Sequence, residues 1–125
     1  MSSNAFNSYR DLVVWQAAMA LAEECYRLTR SFPREEMFGL TSQVRRAAAS
    51  IPANVAEGHG RESTGSFIHS LRIAQGSTKE LETHLLLSER VGLLTRETLD
   101  PAMARCTEIG KMLRSLIRSL QEKGE

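Results

Sequence analysis

Histidine, cysteine and arginine have the widest chemical reach in this chain, and their spacing decides what they can do. The three histidines are His59, His69 and His84. His84 stands four residues after Glu80, one helical turn away, where the two can pair ionically or form a weak two-ligand metal site. A di-metal centre in a helical bundle needs Glu-x-x-His on each of two helices plus further carboxylates, and no such motif is present. Two ligands leave a coordination shell incomplete, so the pair reads as ionic or simply solvated. Cys25 and Cys106 fall at apolar positions of helical patterns, where a thiol acts as a small hydrophobe. No GxGxxG or Walker-type glycine loop occurs, so no phosphate cradle of that kind is expected. These residues point away from an enzyme and call for neither a metal nor another cofactor.

The basic residues are more suggestive. Thirteen of the sixteen are arginine, whose planar fork suits phosphate. Lys111, Arg114 and Arg118 share one face of the last helical segment, at i, i+3 and i+7. Arg45 and Arg46 make a second pair. In one subunit a solvated face, or ion pairs with Glu23, Glu24 or Glu57, accounts for them. In a ring of identical subunits each small patch repeats, and the face becomes a candidate nucleic-acid contact.

The elements that position these residues read as helices. Leu12, Trp15, Met19, Ala22, Tyr26 and Thr29 step by three or four, and Val14, Ala17, Leu21 and Leu28 form a flanking stripe. That apolar arc is wider than one bundle seam requires. Ser31-Phe32-Pro33 ends this helix and starts another, with Glu35 and Glu36 suited to the first turn. The second helix carries Leu40, Val44, Ala47, Ala48, Ile51 and Val55. Pro52 interrupts its hydrogen bonding, yet the apolar spacing runs through without a phase break. One helix kinked at Pro52 is therefore favoured over two shorter helices. Asn54 and Glu57 are placed to satisfy carbonyls freed at the kink or to buttress a neighbour. Gly58 and Gly60 are expected to end the helix in the left-handed conformation.

Ser63 or Thr64 caps a third helix with the core stripe Phe67, Leu71, Ala74, Thr78, Leu81, Leu85 and Ser88. Gly76-Ser77 inside it suggests close packing against a helix or a subunit. Gly92 and Thr95 mark a turn. A fourth helix begins around Thr98 to Pro101 and carries Leu99, Met103, Cys106, Ile109 or Gly110, Leu113, Leu116 or Ile117, and Leu120, ending at Gly124. The expected fold is all-α, an antiparallel up-down-up-down four-helix bundle. It forms a single domain over residues 1–125, with 1–8 as a flexible tail.

Composition agrees with that class. The 125 residues are 42% hydrophobic, 25% charged and 6% aromatic, which excludes wholesale disorder and favours helix over strand. A net charge of +1 excludes a strongly basic nucleic-acid binder. The start lacks a basic-then-apolar leader, and no run is long enough to span a bilayer. A cytoplasmic protein with reduced thiols is expected.

Several runs occur together in one order: Leu12 to Trp15; Phe32-Pro33 with Phe38-Gly39-Leu40; Gln43 to Ala48; Ser50-Ile51-Pro52-Ala53-Asn54-Val55-Ala56-Glu57-Gly58; and Ala74-Gln75-Gly76-Ser77 with Glu80-Leu81-Glu82-Thr83. Over residues 9–94 the chain resembles the four-helix-bundle proteins encoded in intervening sequences of bacterial 23S rRNA genes. Its last helix matches them in length and amphipathicity only. The resemblance makes Pro52, Asn54, Glu57, Gly58, Gly76, Ser77, Glu80 and Glu82 structural positions of the family motif. It implies a cytosolic bacterial homopentamer without enzymatic activity. A related branch, the accessory variability proteins of diversity-generating retroelements, is basic, binds nucleic acid and partners a reverse transcriptase. This chain departs from that branch in being nearly neutral. The reading is a non-catalytic, ring-shaped binding or scaffold protein that contacts structured RNA or DNA. The alternative is a protein–protein adaptor with no nucleic-acid role.

Overall fold

The structure, a computed structural model, describes residues 8–123. Four helices account for most of them: α1 (Val13–Thr29), α2 (Leu40–His59), α3 (Thr64–Arg90) and α4 (Arg96–Lys123). Packing links α1 to α2, α2 to α3, α3 to α4 and α4 back to α1, while the backbones of the diagonal pairs stay more than 8 Å apart. The connections after α2 and α3 are short. This arrangement is an all-α bundle, compatible with the up-down-up-down order. Among the described residues no helix is long and apolar enough to cross a membrane.

The core takes Val14, Ala18, Leu21 and Cys25 from α1, and Val44, Ala48, Ile51 and Val55 from α2. From α3 come Leu71, Ala74, Leu81 and Leu85, and from α4 Leu99, Cys106, Ile109, Leu113 and Ile117. Loop residues Phe32 and Leu94 join the same cluster. The α3 stripe is as expected, apart from a half-buried Phe67. In α4, Ile109 and Ile117 take the core positions that Gly110 and Leu116 could have held. Buried hydroxyls are satisfied locally: Thr78 Oγ1 donates to the Ala74 carbonyl and Ser88 Oγ to that of His84, each at 2.8 Å.

Four boundaries differ from expectation. Pro33 begins no long helix. Arg34–Glu36 form a single 3-10 turn, and α2 starts at Leu40, whose N–H donates to Glu36 Oε1 at 3.0 Å. Helix α4 starts at Arg96, ahead of Thr98. Thr95 and Thr98 cap each other's backbone N–H at 3.2 Å, a capping box with threonine in the third position. Pro101 therefore lies inside the helix. Gly60 caps α2 at φ −80°, and Gly58 lies within the helix; the left-handed glycine is Gly92, at φ 87°. Leu93 N–H returns to the Ser88 carbonyl at 2.8 Å and Gly92 N–H to that of Glu89 at 3.1 Å, the Schellman closure of α3. Ser8, assigned to the tail, caps a 3-10 turn at Tyr9–Asp11. The rest of that tail and Gly124 lie outside the described residues.

Helix α2 runs through Pro52 without interruption. The proline gives up the bond to the Ala48 carbonyl, and the continuity is compatible with a kink there.

Candidate functional site

Helix α1 buries a different stripe from the one its bulkiest residues suggest. Its core face is Val14, Ala18, Leu21, Cys25 and Thr29, while Trp15 is half-buried and Met19 and Tyr26 are 36% and 45% exposed. Ala18 and Cys25 let neighbouring helices approach closely, which larger side chains would prevent. The stripe displaced from the core is left facing outward. It meets Ala49, Pro52, Ala53 and Ala56 of α2 across a groove of about 580 Å³. Tyr9 packs edge-on against Trp15, with ring centroids 5.3 Å apart. Glu23, Arg27 and Arg30 supply the groove's charged lining. The α2 wall escaped the sequence reading. Ala49, Ala53 and Ala56 recur at helical spacing, but alanine is too weakly apolar to mark a surface by itself.

The two arginines of α2 part company. Arg45 Nε donates to Thr29 Oγ1 at 2.8 Å, and its guanidinium lies 4.6 Å from the Tyr26 ring centroid. Thr29 Oγ1 can accept because its own proton goes to the Cys25 carbonyl at 2.8 Å. Arg45 thus ties α2 to α1 through a hydrogen bond and a cation–π contact. Arg46, one residue on, is exposed. The structure does not make these two one patch.

Polar residues after Pro52 also separate. Asn54 Nδ2 donates to the Ser50 carbonyl at 2.8 Å and to Ser50 Oγ at 3.0 Å, and Ser50 Oγ meets Ser77 Oγ at 2.8 Å. This chain of bonds joins α2 to α3, the buttressing role expected of Asn54. Glu57 takes no part and pairs with Arg61 at 2.9 Å on the surface. Gly58 makes the closest helix approach: an added Cβ would lie 2.7 Å from Ser70 Cβ. At Gly76 an added Cβ meets nothing within 4 Å. The close-packing role expected within the chain therefore belongs to Gly58, with Ser77 buried beside the bare Gly76.

Lys111, Arg114 and Arg118 are all exposed on α4. His84 Nε2 lies 3.5 Å from Glu80 Oε2, and Glu82 pairs with Lys79 at 3.3 Å. Arg105 Nε approaches Glu24 Oε1 to 2.9 Å, tying α4 to α1. Both cysteines are free and buried. Burial is the main cause that pushes each thiol up to about 12, helped by Glu24 at Cys25 and by Glu82 foremost among the charges at Cys106. Such thiols are poor nucleophiles. Among the described residues no three His, Cys, Asp or Glu side chains gather to hold a metal ion.

The model of the 23S rRNA-intervening sequence proteins matches residues 10–115. The chain belongs to that family. The match reaches well into α4, past the residues that carried the resemblance, and takes in Lys111 and Arg114 but not Arg118. A crystal structure of a protein of unknown function from the S23 ribosomal protein family of Bacteroides thetaiotaomicron is also similar. It is 30% identical, superposes with a TM-score of 0.76, and the similarity covers 84% of this chain and 98% of that one. No curated protein matches the chain.

Proposed function

We propose that this member of the 23S rRNA-intervening sequence family is a non-catalytic cytoplasmic scaffold. Its copies assemble into a ring, most simply a pentamer, and the ring contacts structured RNA. The apolar α1/α2 groove carries the reading. A bundle needs one buried seam per helix, and α1 buries one while presenting a second. A different, smaller apolar patch lies at the C-terminal end of α3, where Leu87 and the cap residue Val91 stand one turn apart and are 44% and 57% exposed. Helix α3 stands diagonally across the bundle from α1. Two unlike apolar surfaces favour head-to-tail packing, which closes into a ring when the rotation allows. Each copy then repeats the Lys111, Arg114 and Arg118 face, so a nearly neutral chain presents several cationic patches together.

Light scattering tests the assembly. Five copies of a 13.9 kDa chain give about 70 kDa. Ala53→Glu places a carboxylate in the groove without touching the core and should release monomers. A wild-type monomer at micromolar concentration defeats the ring. Binding to rRNA stem-loops should fall steeply with salt. It should disappear when Lys111, Arg114 and Arg118 become glutamate, with the oligomer intact. Tight association with a protein partner, and no RNA binding at low salt, would put the adaptor reading first.

A further inference from the structure

A second recess, of about 280 Å³, lies between α3 and α4. Gln75 and Lys79 line it from α3, and Lys111 and Arg114 from α4. The carboxylate of Glu82 is also on the lining, and Lys79 Nζ meets it at 3.3 Å. That pairing leaves Lys111 and Arg114, both exposed, to set a positive balance. Gly110, next to Lys111 and one turn before Arg114, forms part of the lining. A Cβ there would meet nothing within 4 Å, so no neighbour inside the chain requires a glycine. Glycine weakens a helix relative to alanine. What it provides here is bare backbone, over which a bulky polar group can approach the helix closely.

The cations form a row. Lys111, Arg114 and Arg118 are separated by about 4.5 and about 6 Å along the helix axis. A row with that repeat suits a polyanionic chain better than a single ion. Arginine's fork matches phosphate oxygens. Gln75, on the opposite wall, has both a donor and an acceptor, the pair needed to read a ribose 2′-hydroxyl.

We propose that the α3/α4 recess seats one phosphodiester of an RNA backbone between Lys111, Arg114 and Gln75, over Gly110, and that Arg118 takes the next phosphate. This rests on the RNA contact proposed above and locates it on the subunit.

The test is fluorescence anisotropy with a labelled RNA stem-loop and its DNA counterpart. Circular dichroism and light scattering are recorded on the same samples. Gly110→Leu fills the recess and keeps every charge. It should weaken RNA binding about tenfold, the scale of one lost charge-assisted contact, with helicity and mass unchanged. Lys111→Gln should reduce the slope of log affinity against log salt by about 0.7 to 0.9. If Gly110→Leu misfolds, Gln75→Leu on the other wall should show a similar loss. Wild-type affinity in a folded Gly110→Leu protein, with binding abolished by the triple glutamate change, overturns the recess and leaves the basic face standing. Equal affinity for RNA and DNA overturns the 2′-hydroxyl assignment. Absence of RNA binding by the wild type at low salt overturns both proposals.

Discussion

Gly58→Ala is the sharpest test of how α2 and α3 meet. The new Cβ would lie 2.7 Å from Ser70 Cβ and 2.9 Å from Phe67 Cδ1. Carbon atoms pack at about 3.5 Å or more. The Phe67 ring can turn aside, but Ser70 Cβ is fixed to its backbone. The two helices must therefore separate by about 0.8 Å, given that packing distance. Overpacking of this kind costs about 1–3 kcal/mol. Alanine's better helix propensity returns at most about 1 kcal/mol, and less in the last turn of a helix, where Gly58 lies. The expected net loss is about 1–2 kcal/mol, or roughly 4–8 °C in melting temperature for a domain of this size. Urea and thermal unfolding at matched protomer concentration measure it, since self-association makes the midpoint concentration-dependent. In a Ser70→Gly background the penalty should largely vanish, because the obstructing carbon is gone. A Gly58→Ala protein as stable as wild type refutes the argument, as does the same loss in both backgrounds.

Gly76→Ala should act in the opposite direction. The position is exposed and its Cβ would meet nothing within 4 Å, so the substitution should raise stability by about 1 kcal/mol in urea unfolding; a loss would mean that another copy packs there. Cys25 and Cys106 should be inert to a thiol reagent at pH 8 in the native protein and react after unfolding. Their folded values of about 12 lie above the ordinary 9.0. The stability they add through neutral thiols is complete below pH 9 and is lost as pH rises from 9 to 12. Melting temperature should therefore fall more steeply over that window in the wild type than in a Cys25→Ala, Cys106→Ala protein; equal slopes would contradict the assignment.

Much of the fold was legible in sequence because helical periodicity is a local property. The stripe from Leu71 to Ser88 and the run from Leu99 to Ile117 each step by three or four, and both are buried as that spacing implies, except that Ala102 takes the core position expected of the half-buried Met103. Pro52 left the register of α2 unchanged, so the helix could be traced through it. Ser63 as the cap of α3 and Gly92 as a turn rest on one or two residues' own chemistry, and both hold in the structure. Cap chemistry also hid a boundary: threonine in place of the usual glutamate at the third position obscured the start of α4 at Arg96.

Other features depended on which helices meet. Helix α1 has two adjacent apolar stripes, and period alone cannot rank them. Close approach of α2 and α4 favours the slim Val14, Ala18 and Cys25 side, which leaves Trp15, Met19 and Tyr26 to line the groove. Equally, nothing local separates Gly58, pressed against Ser70, from Gly76 and Gly110, where an added Cβ would meet nothing within 4 Å. A glycine announces only that a side chain is missing, and the reason lies in what stands opposite it. The same holds for charge. Arg45 and Arg46 are neighbours in sequence, but successive helical residues point about 100° apart, so one reaches Thr29 and Tyr26 while the other faces solvent. Periodicity along one helix sets which residues can share a face; the packing of other helices against it decides which face is buried and which remains available for binding.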